Sequence, residues 1–153
     1  MGRVADDLVA RVLGGGAVAL DDLFTASDTL NDGDEPPSTR VDLLRAMWLV
    51  DTEDAALPWN SASVMGDAGH HIEAAWAELE AARRFEHDVA TGRRMTDDEE
   101  DWADTAIYHA CRYFLMGGAI LSATVLVGRI RDAELRAEVV AMLTGHQSPD
   151  SPR

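Results

Sequence analysis

The sequence predicts an all-α protein, a helical bundle of about five helices around a long antiparallel αα-hairpin. Three observations predict it. Apolar residues recur at steps of three and four through most of the chain. Glycine and proline clusters interrupt that period at intervals suited to short connections. A helix-start signature, Thr96-Asp97-Asp98-Glu99, separates the two longest periodic stretches.

The first helix is predicted over Val4 to Leu13, where Val4, Leu8, Val9 and Val12 share a face before Gly14, Gly15 and Gly16 stop it. A second runs from about Ala17 to Leu30, with Leu20, Leu23, Phe24, Ser27 and Leu30 on one face and Asp21, Asp22 and Asp28 off it. Asn31 to Pro37 reads as a rigid acidic loop, and Ser38 as the N-cap of a third helix reaching Val50. Its inward residues are Val41, Leu44, Met47 and Trp48. From Asp51 to Asn60 the period lapses, and Pro58 bars an unbroken helix there.

Two long helices are expected to dominate the rest. One begins near Ser61 or Ser63 and continues to about Ala90, with Ile72, Ala75, Leu79, Ala82, Glu86 and Val89 as its repeat, and Gly92 ends it. The other follows the Thr96 capping box, whose acidic neighbours also suit the positive end of a helix dipole. Its apolar residues line more than one face, which places it at the centre of the domain. Asp132 caps a last helix, Ala133 to Leu143. Residues 1–145 then form a single helical domain and 146–153 a flexible tail.

Charge narrows the partners. The chain carries 28 acidic residues against 13 basic ones, all arginine, for a net charge of -15 over 153 residues. Such a field disfavours nucleic acid and anionic lipid and favours basic or neutral protein surfaces. The absence of lysine suits a high-GC or halophilic genome, or a virus of such a host. Tyr113 to Gly128 is free of charge, yet as a helix it would reach only ~24 Å, short of a bilayer core. No membrane span is predicted. The first seven residues lack the basic start and apolar core of a secretory signal, and Cys111 is the only cysteine. The expected location is cytoplasmic, or a virion if the chain is viral.

The sequence assembles no catalytic motif: Gly-x-Ser-x-Gly is absent, Gly14 to Gly16 lack a phosphate-loop ending, and Cys111 lies in an apolar helix that would blunt it. No cofactor is predicted. His70, His71 and Glu73 are the candidate metal ligands, since His70 and Glu73 share a helix face. In a hairpin turning near Arg94, His109 would lie ~13 Å along the helix from His70, too far for one ion. Arg112, the lone charge from Thr105 to Gly128, is expected to pair with Glu73 or Glu80 across the hairpin. With Tyr113, His109 and Glu73 it forms a candidate ligand-binding set. Candidate interaction residues are Trp59 in its irregular loop, Asp34 and Glu35, and the small-residue patch with Gly118 and Ser122, where a helix of the same chain or of a second copy could approach, so that self-association stands beside a protein partner.

The expected function is a non-enzymatic acidic interaction protein, either an adaptor or inhibitor of a basic partner or a subunit of a larger assembly. An enzyme or ligand binder using the hairpin's polar groups, and a nucleic-acid mimic, are the alternatives.

Overall fold

A computed structural model describes residues 2–31, 37–93 and 99–147. Among them stand eight α-helices packed together and no strand: α1 (Gly2–Leu13), α2 (Leu20–Asn31), α3 (Pro37–Val50), α4 (Ala56–Asp67), α5 (His71–Thr91), α6 (Glu99–Met116), α7 (Ile120–Leu126) and α8 (Ala133–Gln147). A 3-10 turn, Val127–Arg129, follows α7. The all-helical class matches the sequence expectation, whereas the helix count exceeds the expected five.

Six stretches of the sequence read as helices, and the two further ones come from two breaks. The stretch expected to run from about residue 61 to 90 divides into α4 and α5, and the central one into α6 and α7. At both breaks a glycine takes a left-handed backbone, Gly69 at φ 84° and Gly118 at φ 82°, a conformation that ends a helix and that a side chain would strain. Each lies in a stretch that otherwise keeps its helical period, so periodicity alone ran through it. Pro58 sits instead in the first turn of α4, where its missing N–H is one that the helix leaves unpaired anyway. The irregular region therefore shrinks to residues 51–55.

α5 and α6 pack antiparallel. Ile72 lies against Gly117, Trp76 meets Phe114 edge-on at 5.7 Å, and Phe85 meets Trp102 at 5.5 Å. The main core lies between α5, α6, α7 and α8, where Ile107, Cys111, Phe114, Ile130 and Val139 are buried. A second cluster joins α1, α2 and α3 through Leu8, Leu23, Leu43 and Met47. A third, with Val41, Met65, Ala74 and Ala77, connects α3 and α4 to α5. At Gly66 a Cβ would overlap the ring of Tyr113, so that glycine makes room for the Tyr113 side chain of α6 against α4.

α8 begins where Asp132 was expected to cap it: Asp132 Oδ1 accepts the N–H groups of Glu134 at 2.8 Å and Leu135 at 3.0 Å. It continues through Gln147, past the expected end at Leu143, and 148–153 lie outside the described residues. So do Thr96, Asp97 and Asp98 of the expected capping box, and nothing is described of the Ser38 or Glu99 side chains.

The approach to α8 is held by Asp104 of α6, a carboxylate 5% exposed. Its Oδ2 accepts the backbone N–H groups of Arg131 at 3.0 Å and Asp132 at 2.7 Å. Asp104→Ala should cost about 2 kcal/mol, and Asp104→Asn, which can offer its amide oxygen to both backbone donors but sets an NH2 group where Oδ1 accepts Arg131 Nε at 3.4 Å, should recover about half of that loss. Urea unfolding of the two variants checks this; equal losses would mean that the acceptor is not what matters.

Candidate functional site

The expected metal ligands lie where the α4–α5 and α6–α7 turns meet. There Gly69, His70, His71, Ile72, Glu73 and Gly117 line an open recess of about 320 Å³. His70 Nδ1 is 3.9 Å from Glu73 Oε1, and Arg45 approaches Glu73 Oε2 at 3.6 Å, so the carboxylate is shared between two cations when His70 is protonated. His71 turns to Tyr113 instead, its ring stacked at 6.4 Å and its Nδ1 buried without a hydrogen-bond partner. Among the described residues no group of three or more His, Cys, Asp or Glu side chains is close enough to hold a metal ion.

Arg112 does not take the partner expected for it. Its side chain is exposed on the outer face of α6, with the guanidinium carbon 5.8 Å from the centre of the Tyr108 ring. Glu73 binds Arg45, and Glu80 receives Arg83 and Arg84. The physical reason is rotation: α6 turns Ala103, Ile107, Ala110 and Phe114 inward, which carries Arg112 to the opposite side.

Tyr108 donates to Glu138 Oε2 on α8 at 2.8 Å, which raises its own pKa. Burial, and next the charge of Arg112, lower the pKa of His109. Tyr113 leaves α6 on another face, toward Gly66 and His71; burial, with the carboxylates of Glu78 and Asp67, raises its phenol. Arg112 and Tyr113, neighbours in sequence, thus serve different surfaces, and the four expected ligand residues do not converge on one point.

Of the expected interaction residues, Trp59 is half-buried and packs edge-on against Phe85 at 4.9 Å, closing one end of the α5–α6 pair. Gly118 makes the α6–α7 turn and Ser122 is half-buried on α7. The small residues beside them serve packing within the chain: Ile72 occupies the space at Gly117, and Ala123 is buried, its carbonyl accepting the Cys111 thiol at 3.8 Å. Burial pushes that thiol up to about 11, as expected for an inert cysteine. Asp34 and Glu35 lie outside the described residues.

Besides Asp104, two buried charged residues were missed in the sequence. Glu78 is 3% exposed on α5, and its Oε2 is buried without a hydrogen-bond partner. Burial alone pushes its carboxyl up to about 8. Arg84, also 3% exposed, donates to Glu80, to the carbonyls of Asp51 and Asp54 at 2.8 Å each, and to that of Trp48 at 3.1 Å. The available signal was their spacing with Ala74, Ala77 and Ala81, which places both on the inward stripe.

An open, largely apolar groove lies between α1 and α2. Val4, Ala5, Leu8, Asp22, Thr25, Ala26, Thr29 and Leu30 line a groove of about 460 Å³. Thr25 donates to the Asp21 carbonyl and Thr29 to that of Thr25, each at 2.9 Å, so both hydroxyls are satisfied within α2. The floor is apolar and only the lip carries charge. No family model, curated protein or solved structure matches this chain. Its chemistry must be read from such surfaces. Asp22 is the carboxylate that lines the groove; Asp6, Asp7, Asp21 and Asp28 are exposed elsewhere on the two helices, which also carry Arg3 and Arg11, the latter engaged by the Ala17 carbonyl at 2.9 Å. An apolar trough with a carboxylate at its lip can hold an amphipathic segment whose apolar side enters it and one of whose cations meets Asp22.

Proposed function

We propose that this chain is a non-enzymatic interaction protein, an acidic helical module that receives a basic amphipathic helix of a partner protein between α1 and α2. The observation that carries this reading is the groove itself, an apolar floor with Asp22 at its lip, on two helices that expose further aspartates. Helix-in-groove recognition draws affinity from the apolar face, while charge sets the choice of partner and the encounter rate. The net charge of -15 supports the same choice, because it attracts basic segments from a distance at low salt. An adaptor, an inhibitor and a subunit of an assembly are each compatible roles for such a module.

The test is fluorescence anisotropy with a labelled peptide of about 15 residues, leucine at helical spacing on one face and lysine on the other. Binding should be saturable and should weaken as salt rises. Asp22→Arg should reduce it at least tenfold, and Thr25→Arg, which fills the groove, should abolish it. Equal binding by both variants, or none by the parent protein at low salt, would reject the groove.

A further inference from the structure

We infer that α1 is an internal competitor for the partner helix: it undocks from α2 and α3 about the connection 14–19, and the partner takes the apolar bed that it leaves. This role rests on the proposed partner helix and adds how its site is gated. α1 is lightly seated. Of its five large apolar side chains only Leu8 is buried, while Val9 and Val12 are half-buried and Val4 and Leu13 stand 64% and 71% exposed. Open space borders the helix on both sides. Beyond the groove of about 460 Å³ toward α2, a second trough of about 380 Å³ separates Val9 and Leu13 from Asp42, Ala46 and Leu49 of α3.

Nothing directional locks it there. Among the described residues no side-chain hydrogen bond or ion pair joins α1 to α2 or α3, and the one that Arg11 makes goes to the Ala17 carbonyl within the connection. α3, by contrast, is tied to α4 by Trp48 Nε1 on Ser61 at 3.0 Å and to α5 by Arg84 on the Trp48 carbonyl and by the Arg45–Glu73 pair. Apolar contacts alone let α1 leave without orphaning a buried polar side chain. The connection opens with Gly14, Gly15 and Gly16, which turn at small steric cost. Beneath α1 lie Leu23, Leu43 and Met47, the bed that an amphipathic helix of the same apolar spacing can fill. Charge favours the newcomer. α1 carries Asp6 and Asp7 against Arg3 and Arg11 and gains nothing from a chain of net charge -15, whereas a basic helix adds that attraction to the same apolar contacts. Because the bed is free only in the fraction of molecules with α1 undocked, α1 weakens every ligand by that fraction and so sets a threshold.

Hydrogen exchange and anisotropy with the leucine–lysine peptide, both on the full chain, test this. Without peptide the α1 amides should exchange about a hundredfold faster than those of α5, and saturating peptide should speed them further because it holds α1 off. Leu13 and Leu49 are exposed and line the trough toward α3, so a short bis-maleimide can join the variant Leu13→Cys, Leu49→Cys across it while Cys111 stays buried. The joined protein should lose the fast exchange and bind the peptide about tenfold more weakly than the same variant unjoined. Leu8→Ala loosens α1 and should bind about threefold more tightly; a rigid groove requires the reverse, because Leu8 lines it. Exchange in α1 as slow as in α5, protection of α1 by the peptide, binding that the join leaves unchanged, or weaker binding by Leu8→Ala would overturn the inference. Those results reject the displacement and leave the groove standing. No binding by any of these proteins rejects the groove itself, and the competitor role with it.

Discussion

Replacing Glu78 with glutamine should raise stability at pH 8 to 9 by several kcal/mol and leave it almost unchanged near pH 4. The carboxyl is buried, its Oε2 lacks a hydrogen-bond partner, and its folded pKa of about 8 stands above the ordinary 4.5. Below about pH 4.5 both folded and unfolded chains hold the proton, and Glu78 carries no ionisation penalty. As pH rises from there, the unfolded chain releases the proton while the folded one keeps it, so stability falls by about 1.4 kcal/mol per pH unit. Above about pH 8 both states are ionised, and the accumulated deficit is on the order of 4–5 kcal/mol. Tyr113 is the titratable neighbour from α6; its phenol adds no positive charge that would rescue the carboxylate. Glutamine keeps the shape and cannot ionise. Urea unfolding of both proteins from pH 4 to 9 should therefore show curves that meet at the acid end and diverge upward. A constant gap across that range would show that Glu78 is not the titrating group.

The second large effect is expected at Arg84, where substitution with methionine should destabilise the fold by about 3–5 kcal/mol. This guanidinium joins three elements: its Nε donates to Glu80 on its own helix at 2.7 Å, while its other nitrogens reach the end of α3 at Trp48 and the 51–54 loop. Asp51 in turn organises that loop, accepting the N–H groups of Glu53 and Asp54, which hold its carboxyl below the usual range. Methionine fills the space yet donates nothing, leaving the carbonyls of Trp48, Asp51 and Asp54 without this donor. Arg84→Lys keeps the charge but cannot span carbonyls on both sides, so it should recover less than half of the loss. With ~2–4 °C per kcal/mol for a chain of this size, thermal melts resolve the three proteins. A loss below about 1 kcal/mol in Arg84→Met would mean that α3 and the loop are held by packing alone.

Much of the helical content was legible because helix formation is written locally. α1, α2, α3 and α8 lie close to their expected ranges, and the Asp132 cap is where its side-chain chemistry places it. The groove between α1 and α2 was not legible, because it depends on the angle at which two amphipathic helices meet rather than on either pattern. The site residues fared unevenly for a related reason. Arg112 stood out as a lone charge and turned to solvent, whereas Glu78 and Arg84, inconspicuous among other charges, turned to the interior.

The alanines of α5 explain that reversal. Of the expected stripe of Ile72, Ala75, Leu79, Ala82, Glu86 and Val89, Ala75 and Ala82 are fully buried and Leu79 packs against the core, but the buried face is centred further round, on Ala74, Ala77, Glu78 and Ala81, because alanine marks a buried face only weakly. Ile72 is partly exposed in consequence, and Trp76 lies largely in solvent on the outer face. The sequence by itself determined that this chain is helical, acidic and built with a charge-free segment near its centre. Only the tertiary structure decided how each helix is rotated about its axis, and hence which carboxyl is buried, which arginine clamps the loop and which apolar side chains meet water. A helix's period is local, but its rotation is set by the neighbours that it packs against.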